Sequence, residues 1–145
     1  MITKKLILAL GLAAFVSSCQ TASEIPTDLS GSTILFYNQA HGVQVEYFSQ
    51  NGRTHLWYPG NSRSLPGKWK TELDGKLICF GYPSNSYNPV TKERGGGWKC
   101  RPMRDFQRNV RQTCKGDVFK LASGKIPYVL NKNRSQLNDL KKTCS

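Results

Sequence analysis

Apolar and polar positions along this chain alternate for most of its length, and the period predicts strands. The clearest stretch is 43–58, VQVEYFSQNGRTHLWY, two alternating runs around Asn51-Gly52, a strong short-range signal for a β-hairpin. Val43, Val45 and Tyr47 fall on one face of the first run, with Gln44 and Glu46 on the other. Beyond the turn, Thr54, Leu56 and Tyr58 alternate with Arg53, His55 and Trp57. That run is apolar on both faces toward its end, as a strand in the middle of a sheet would be. Further strands are predicted at 32–37 (STILFY), at 68–73 after Pro66-Gly67, at 76–82 after Asp74-Gly75, and at 98–100. A last hairpin is expected from 118–122 and 126–130 around Ser123-Gly124, with Pro127 confining its second strand to an edge.

The period changes after Cys100. Arg101, Arg104, Arg108 and Arg111 recur at intervals of 3, 4 and 3, while Met103, Phe106 and Val110 recur at 3 and 4. This predicts a short amphipathic basic helix over about 101–113, its four arginines opposite an apolar stripe. A short C-terminal helix over 134–142 would tuck in Leu137 and Leu140. The fold class is therefore mainly β: an antiparallel meander closing as a small barrel or sandwich of about seven or eight strands, with two short helices.

The N-terminus has a different texture. Lys4 and Lys5 precede an apolar run, 6–16, too short for a permanent bilayer span but suited to a signal-peptide core. It ends in Val16-Ser17-Ser18-Cys19, which resembles the bacterial lipobox, although an ordinary secretory signal with a chance cysteine is the competing reading. The resemblance implies that 1–18 is a lipoprotein signal peptide and that Cys19 is acylated, palmitate among its chains. At about 0.8 kcal/mol per buried methylene, more than one chain gives stable anchoring. Gln20, rather than Asp, after the cysteine implies by the same resemblance an outer-membrane protein facing the periplasm. Residues 19–30 then read as a lipidated flexible tether, and 31–145 as one disulfide-stapled β domain.

The other four cysteines, Cys79, Cys100, Cys114 and Cys144, form an even set for an oxidising compartment. Cys79 is expected to pair with Cys100 on neighbouring strands, and Cys144 to pin the tail to Cys114. None of the spacings is the C-x-x-C of a zinc site, so no metal is assigned, and no motif calls for a cofactor. The precursor carries a net charge of +12. Without Lys4 and Lys5 its 21 basic residues become 19 against 9 acidic, about +10. Such a chain is drawn to anionic partners.

One set of landmarks, Tyr47-Phe48, Gly52-Arg53, Trp57, Gly67-Lys68-Trp69, Leu77-Ile78-Cys79-Phe80, Cys100 and the aromatic run from Phe119 to Tyr128, resembles an uncharacterised family of small secreted proteobacterial β-meander proteins over about residues 29–130. The resemblance implies an all-β core and carries no activity.

Candidate chemistry is sparse. His55 and Glu46 on facing strands could form a hydrolytic pair, but with residue 48 opposite 55 they would be diagonal at best, and no nucleophile motif accompanies them. No pair of carboxylates converges as glycoside chemistry requires. The aromatic set Trp57, Tyr58, Trp69, Phe80, Tyr82 and Trp98 is expected to be core; the alternative is an exposed platform stacking on sugar rings or bases, Trp57 and Trp98 above all, flanked by Lys68, Lys70 and Lys99. The arginine stripe, Arg101, Arg104, Arg108 and Arg111, suits phosphate or carboxylate recognition. The expectation is a non-enzymatic outer-membrane lipoprotein. It would use this basic face to bind an anionic glycan, lipopolysaccharide or an envelope protein. The alternatives are a lysozyme-inhibitor-like binding module and an envelope hydrolase using His55 and Glu46. Nucleic acid is disfavoured by the compartment, and charge disfavours the inhibitor, because animal lysozymes are themselves basic.

Overall fold

A computed structural model describes residues 28–144. The expected signal peptide, Cys19 and most of the expected tether lie outside them. The alternating stretches become the strands β1 (Ser32–Asn38), β2 (Gly42–Phe48), β3 (Arg53–Trp57), β4 (Leu65–Glu72) and β5 (Leu77–Gly81). A two-stranded ribbon follows, β6 (Tyr87–Asn88) with β7 (Glu93–Arg94), and then β8 (Lys99–Pro102), helix α1 (Met103–Gln107), β9 (Val110–Lys115) and helix α2 (Gln136–Thr143). Seven strands form one antiparallel sheet in the order β8-β5-β4-β3-β2-β1-β9. It curls into a half-barrel. β3 occupies the middle, as its two apolar faces predict.

The curl gives the sheet an inner and an outer face, and alternation assigns side chains to each. The inner face carries Ile34, Phe36, Phe48 and Ile78, packed against Leu29 ahead of β1 and Met103 and Phe106 of α1, all buried. Phe106 packs edge-on to Phe36 on β1 and to Phe48 on β2, with centroids 5.0 and 6.0 Å away, and also meets Phe80 on β5. The outer face carries Leu35, Val43, Val45 and Trp57, covered by Leu121, Leu130, Leu137 and Leu140 from the C-terminal segment. β1 and β2 are therefore buried on both sides.

The central hairpin differs from its expected register by one residue. Phe48 pairs with Thr54 and Tyr47 with His55. The Ser49 N–H donates to the Arg53 carbonyl, the Gly52 N–H to the Ser49 carbonyl, and Gly52 has a φ of 75°. Gln50 and Asn51 are thus the turn's centre and Gly52 is the left-handed residue that follows, a three-residue loop rather than a two-residue one. Glu46 now faces Leu56, and it sits on the inner face while His55 sits on the outer. The His55–Glu46 pair of the hydrolase alternative is separated by the sheet.

The basic helix is also corrected. Only Met103–Gln107 is helical, and Val110–Lys115 pairs with β1. Without β9, the outer edge of β1 would leave a row of backbone donors and acceptors unpaired beside a buried face, which outweighs a modest local helix pattern. The four arginines therefore form no stripe. Arg101 is on β8, Arg104 in α1, Arg108 at its C-terminal cap, and Arg111 on β9.

The expected hairpin over 118–130 is absent too, replaced by a 3₁₀ turn at Leu121–Ser123. Its backbone bonds go elsewhere: Gly60 N–H to Leu130 O, Ser64 N–H to Gly124 O, and Trp57 Nε1–H to Tyr128 O. Asp117 accepts from the amides of Leu121 and Ala122 and fixes the turn. Leu121 and Leu130 then act as separate pegs into the outer face. Both disulfides form as expected, Cys79–Cys100 between paired residues of β5 and β8, and Cys114–Cys144 between β9 and the end of α2.

Candidate functional site

The inner aromatic cluster fills only one end of the half-barrel. The other end is a cavity of about 330 Å³. Its walls are the alternate side chains that point inward: Phe36, Gln44, Glu46, Leu56, Phe80 and Arg101, with Tyr82 just past β5 and His41 and Lys132 at the rim. The fourth side is the loop 82–98, which carries the β6–β7 ribbon.

Glu46 is 4% exposed. Thr54 Oγ1 donates to its Oε1 at 2.6 Å and Tyr82 Oη donates to the same oxygen at 2.5 Å. Burial raises the Glu46 pKa, opposed by these two hydrogen bonds and by the field of Arg101. Tyr82 is pushed well above its ordinary value by burial and by the neighbouring carboxylate. Among the described residues, every fully buried side-chain nitrogen or oxygen has a partner.

Arg101 is held differently. Its guanidinium lies over the rings of Phe80 and Phe106, 5.5 and 5.2 Å from their centroids. The salt bridges among the described residues do not include it, so Glu46 acts on it only through its field. Crowding by the walls lowers the Arg101 pKa, opposed by Glu46 and Tyr82. The side chain nevertheless keeps access to solvent through the open mouth. Ring faces offer a guanidinium no hydrogen-bond acceptor, so these contacts leave its N–H donors available to an incoming anion. His41 is lowered by burial, then by Arg101 and Lys132, and is neutral at neutral pH.

Two glycines make the site possible. A Cβ on Gly67 would lie 2.7 Å from the Tyr82 ring, so the bare backbone of β4 is what lets Tyr82 lie across it and reach Glu46. A Cβ on Gly95 would lie 2.1 Å from the Pro83 carbonyl. That approach holds the loop in place, with Gly95 N–H bonded to Ser86 O and Gly96 N–H to Tyr82 O.

The residues singled out from sequence scatter. Of the four arginines only Arg101 lines the cavity. Arg104 and Arg108 flank Asp105 on the surface, and Arg111 Nη1 donates to the carbonyls of Arg108 and Val110. Trp57 is fully buried and His55 is 8% exposed, so Trp57 is core, the favoured reading of the aromatic set, and the stacking alternative fails for it. Trp98 is 46% exposed, with Lys70 Nζ 4.7 Å from its ring centroid. Glu72 lies beside the Cys79–Cys100 pair, but both sulfurs are in the disulfide, leaving no thiolate for a metal. The sequence places Tyr82 only among the core or stacking aromatics and the Gln44–Glu46 face on the polar side of a strand, so the Tyr82–Glu46 contact is not foreseen. The available signal was a carboxylate midway along the hairpin's first strand, flanked by Val45 and Tyr47.

Among the described residues no helix is long and apolar enough to cross a membrane. No family model and no solved structure matches the chain. The chain is similar to glucosyltransferase-I of Streptococcus downei, 26% identical over 109 residues. The match covers 64% of this chain and 7% of that enzyme's length.

Proposed function

We propose that the protein is a non-enzymatic, lipid-anchored binding protein of the bacterial envelope, and that its half-barrel cavity takes an anionic, hydroxyl-rich ligand such as a sugar acid. The observation that carries this reading is Arg101, held over the rings of Phe80 and Phe106 with no carboxylate in salt-bridge contact among the described residues. At the cavity wall Glu46 is fixed by Thr54 and Tyr82 through a single oxygen. Its other oxygen, Oε2, takes neither bond and suits a ligand hydroxyl. One end of the ligand is thus an acid on Arg101 and the other a hydroxyl on Glu46, with aromatic walls between. Anchoring through Cys19, a periplasm-facing outer-membrane location and kinship with small secreted proteobacterial β-meander proteins belong to the same proposal. They rest on the lipobox-like 16–19 and on the landmarks along the strands. The partial likeness to a glucosyltransferase is compatible with a glycan ligand and is too short a share of that enzyme to carry its activity over.

The test is calorimetric titration with galacturonate. Arg101→Gln should weaken binding roughly 10-fold or more, the loss of a charge-assisted contact of about 1.5–3 kcal/mol. Arg104→Glu with Arg108→Glu should leave it within about twofold, because exposed charges outside the cavity contribute little. Unchanged binding by the Arg101 variant would sink the proposal.

A further inference from the structure

The cavity does not end at its own wall. On the outer face a shallow groove of about 430 Å³ runs between Arg53, Lys68 and Trp98, and it shares Tyr82 and Gly97 with the cavity. The two concavities therefore meet at one rim, where Gly97 has a φ of 82° and a Cβ there would have nothing within 4 Å. Trp98 is the groove's large apolar surface. Three atoms of its six-membered ring lie 3.4–3.6 Å from where a Gly81 Cβ would be. The indole therefore lies against bare backbone of β5. Its neighbour Cys100 is bridged to Cys79, so the strand behind the ring is pinned. Trp98 and Arg101 are three residues apart on one segment, about 10 Å along a strand, longer than a single pyranose ring.

Resting on the cavity reading, we infer that the ligand is an extended acidic oligosaccharide. Its acid group enters the cavity at Arg101, the chain crosses the rim at Gly97, and a later sugar ring stacks on Trp98. Aromatic faces carry partial negative charge and attract the polarised C–H face of a sugar. Lys68 and Arg53 along the groove would meet the next acid group. A small-molecule site would need no such continuation, and an apolar, cation-flanked track beyond the pocket is what a polymer uses.

The experiment compares galacturonate with its tetramer on the full chain, using maltotetraose as the neutral control. The tetramer should bind roughly 5- to 30-fold tighter than the monomer, the effect of one stacked ring. Trp98→Ala should remove that gain and leave monomer binding unchanged, while Trp98→Phe should keep most of it. If tetramer and monomer bind alike, or Trp98→Ala changes neither, the extended track is overturned while an Arg101-dependent monomer signal keeps the cavity reading. If neither acid binds, both fall. Maltotetraose binding as tightly as the acidic tetramer would overturn the acidic class.

Discussion

Tyr82 Oη donates to Glu46 Oε1 at 2.5 Å, tying the residue that follows β5 to the middle of β2 across the two intervening strands β4 and β3. The contact crosses at Gly67, whose missing Cβ leaves the space, and at Thr54. Tyr82→Phe removes a donor to a buried carboxylate and is expected to cost about 1.5–3 kcal/mol at pH 7. The sign with pH follows from linkage. Burial holds the Glu46 pKa above its ordinary 4.5, so the folded state keeps its proton longer than the unfolded chain. That contribution is fully present below pH 4.5 and is lost as pH rises through the folded value. Tyr82 opposes this loss, so the variant's deficit should shrink when urea unfolding is repeated near pH 4. A deficit equal at both values would mean that Tyr82 does not act through Glu46.

Acidification should tighten binding of an anion whose own charge persists. His41 is held below its ordinary 6.5 by burial and by Arg101 and Lys132, and Glu46 is held above 4.5. Falling pH neutralises Glu46 at a pH above its ordinary value and protonates His41 at a pH below its ordinary value, and both changes make the cavity more positive. Titration with a sulfated sugar, which stays ionised throughout, is expected to show affinity rising as pH falls below 7. His41→Gln with Glu46→Gln should flatten the profile.

The two disulfides should separate stability from binding. Each closes a loop, of 21 residues for Cys79–Cys100 and 30 for Cys114–Cys144, and loop entropy puts both at about 3–4 kcal/mol. Cys79–Cys100 also brackets the 82–98 loop, one whole side of the cavity. Replacing both of its cysteines by serine is expected to weaken galacturonate binding several-fold while the protein is still folded. Serines at 114 and 144, which release only the outer cover of the sheet, should lower the urea midpoint and leave affinity near its original value.

Tryptophan replacements offer a direct check on the faces. Trp57 is fully buried among Leu35, Val45 and Leu130 and donates to Tyr128 O. Trp57→Ala should therefore cost about 3–5 kcal/mol. Trp98→Ala, on the surface, should cost well under 1 kcal/mol. Thermal or urea denaturation of the pair measures both.

Much of the strand order was legible because alternation and turn chemistry are local. Asp74-Gly75 adopts positive φ as its sequence suggests, with Leu73 joining it, and β5 and β8 pair where the cysteines require. What was not legible depended on neighbours distant in sequence. The arginine periodicity of 101–111 is genuine on paper, yet 110–115 becomes a strand because β1 has an edge to fill. The leucines at 121 and 130 read as strand residues, but they are pegs whose backbone bonds go to the 58–64 connection. The site was hidden for a related reason. A polar strand face turned to water and one turned into a cavity have the same sequence pattern, and only the curl of the sheet tells Glu46 from an ordinary surface glutamate.

α1 joins β8 to β9, the two free edges of the curled sheet, in five residues. Its first residue, Met103, donates its N–H to Lys76 O beside β5. Just beyond its end, Asn109 O accepts from Tyr37 N–H on β1. The segment therefore works as a clasp, and its length sets the girth of the half-barrel. Inserting a single residue between Gln107 and Arg108 would let the edges part and widen the cavity without altering any side chain that lines it. Size selectivity in this fold can thus drift through the length of the α1 connection, independently of the chemistry inside.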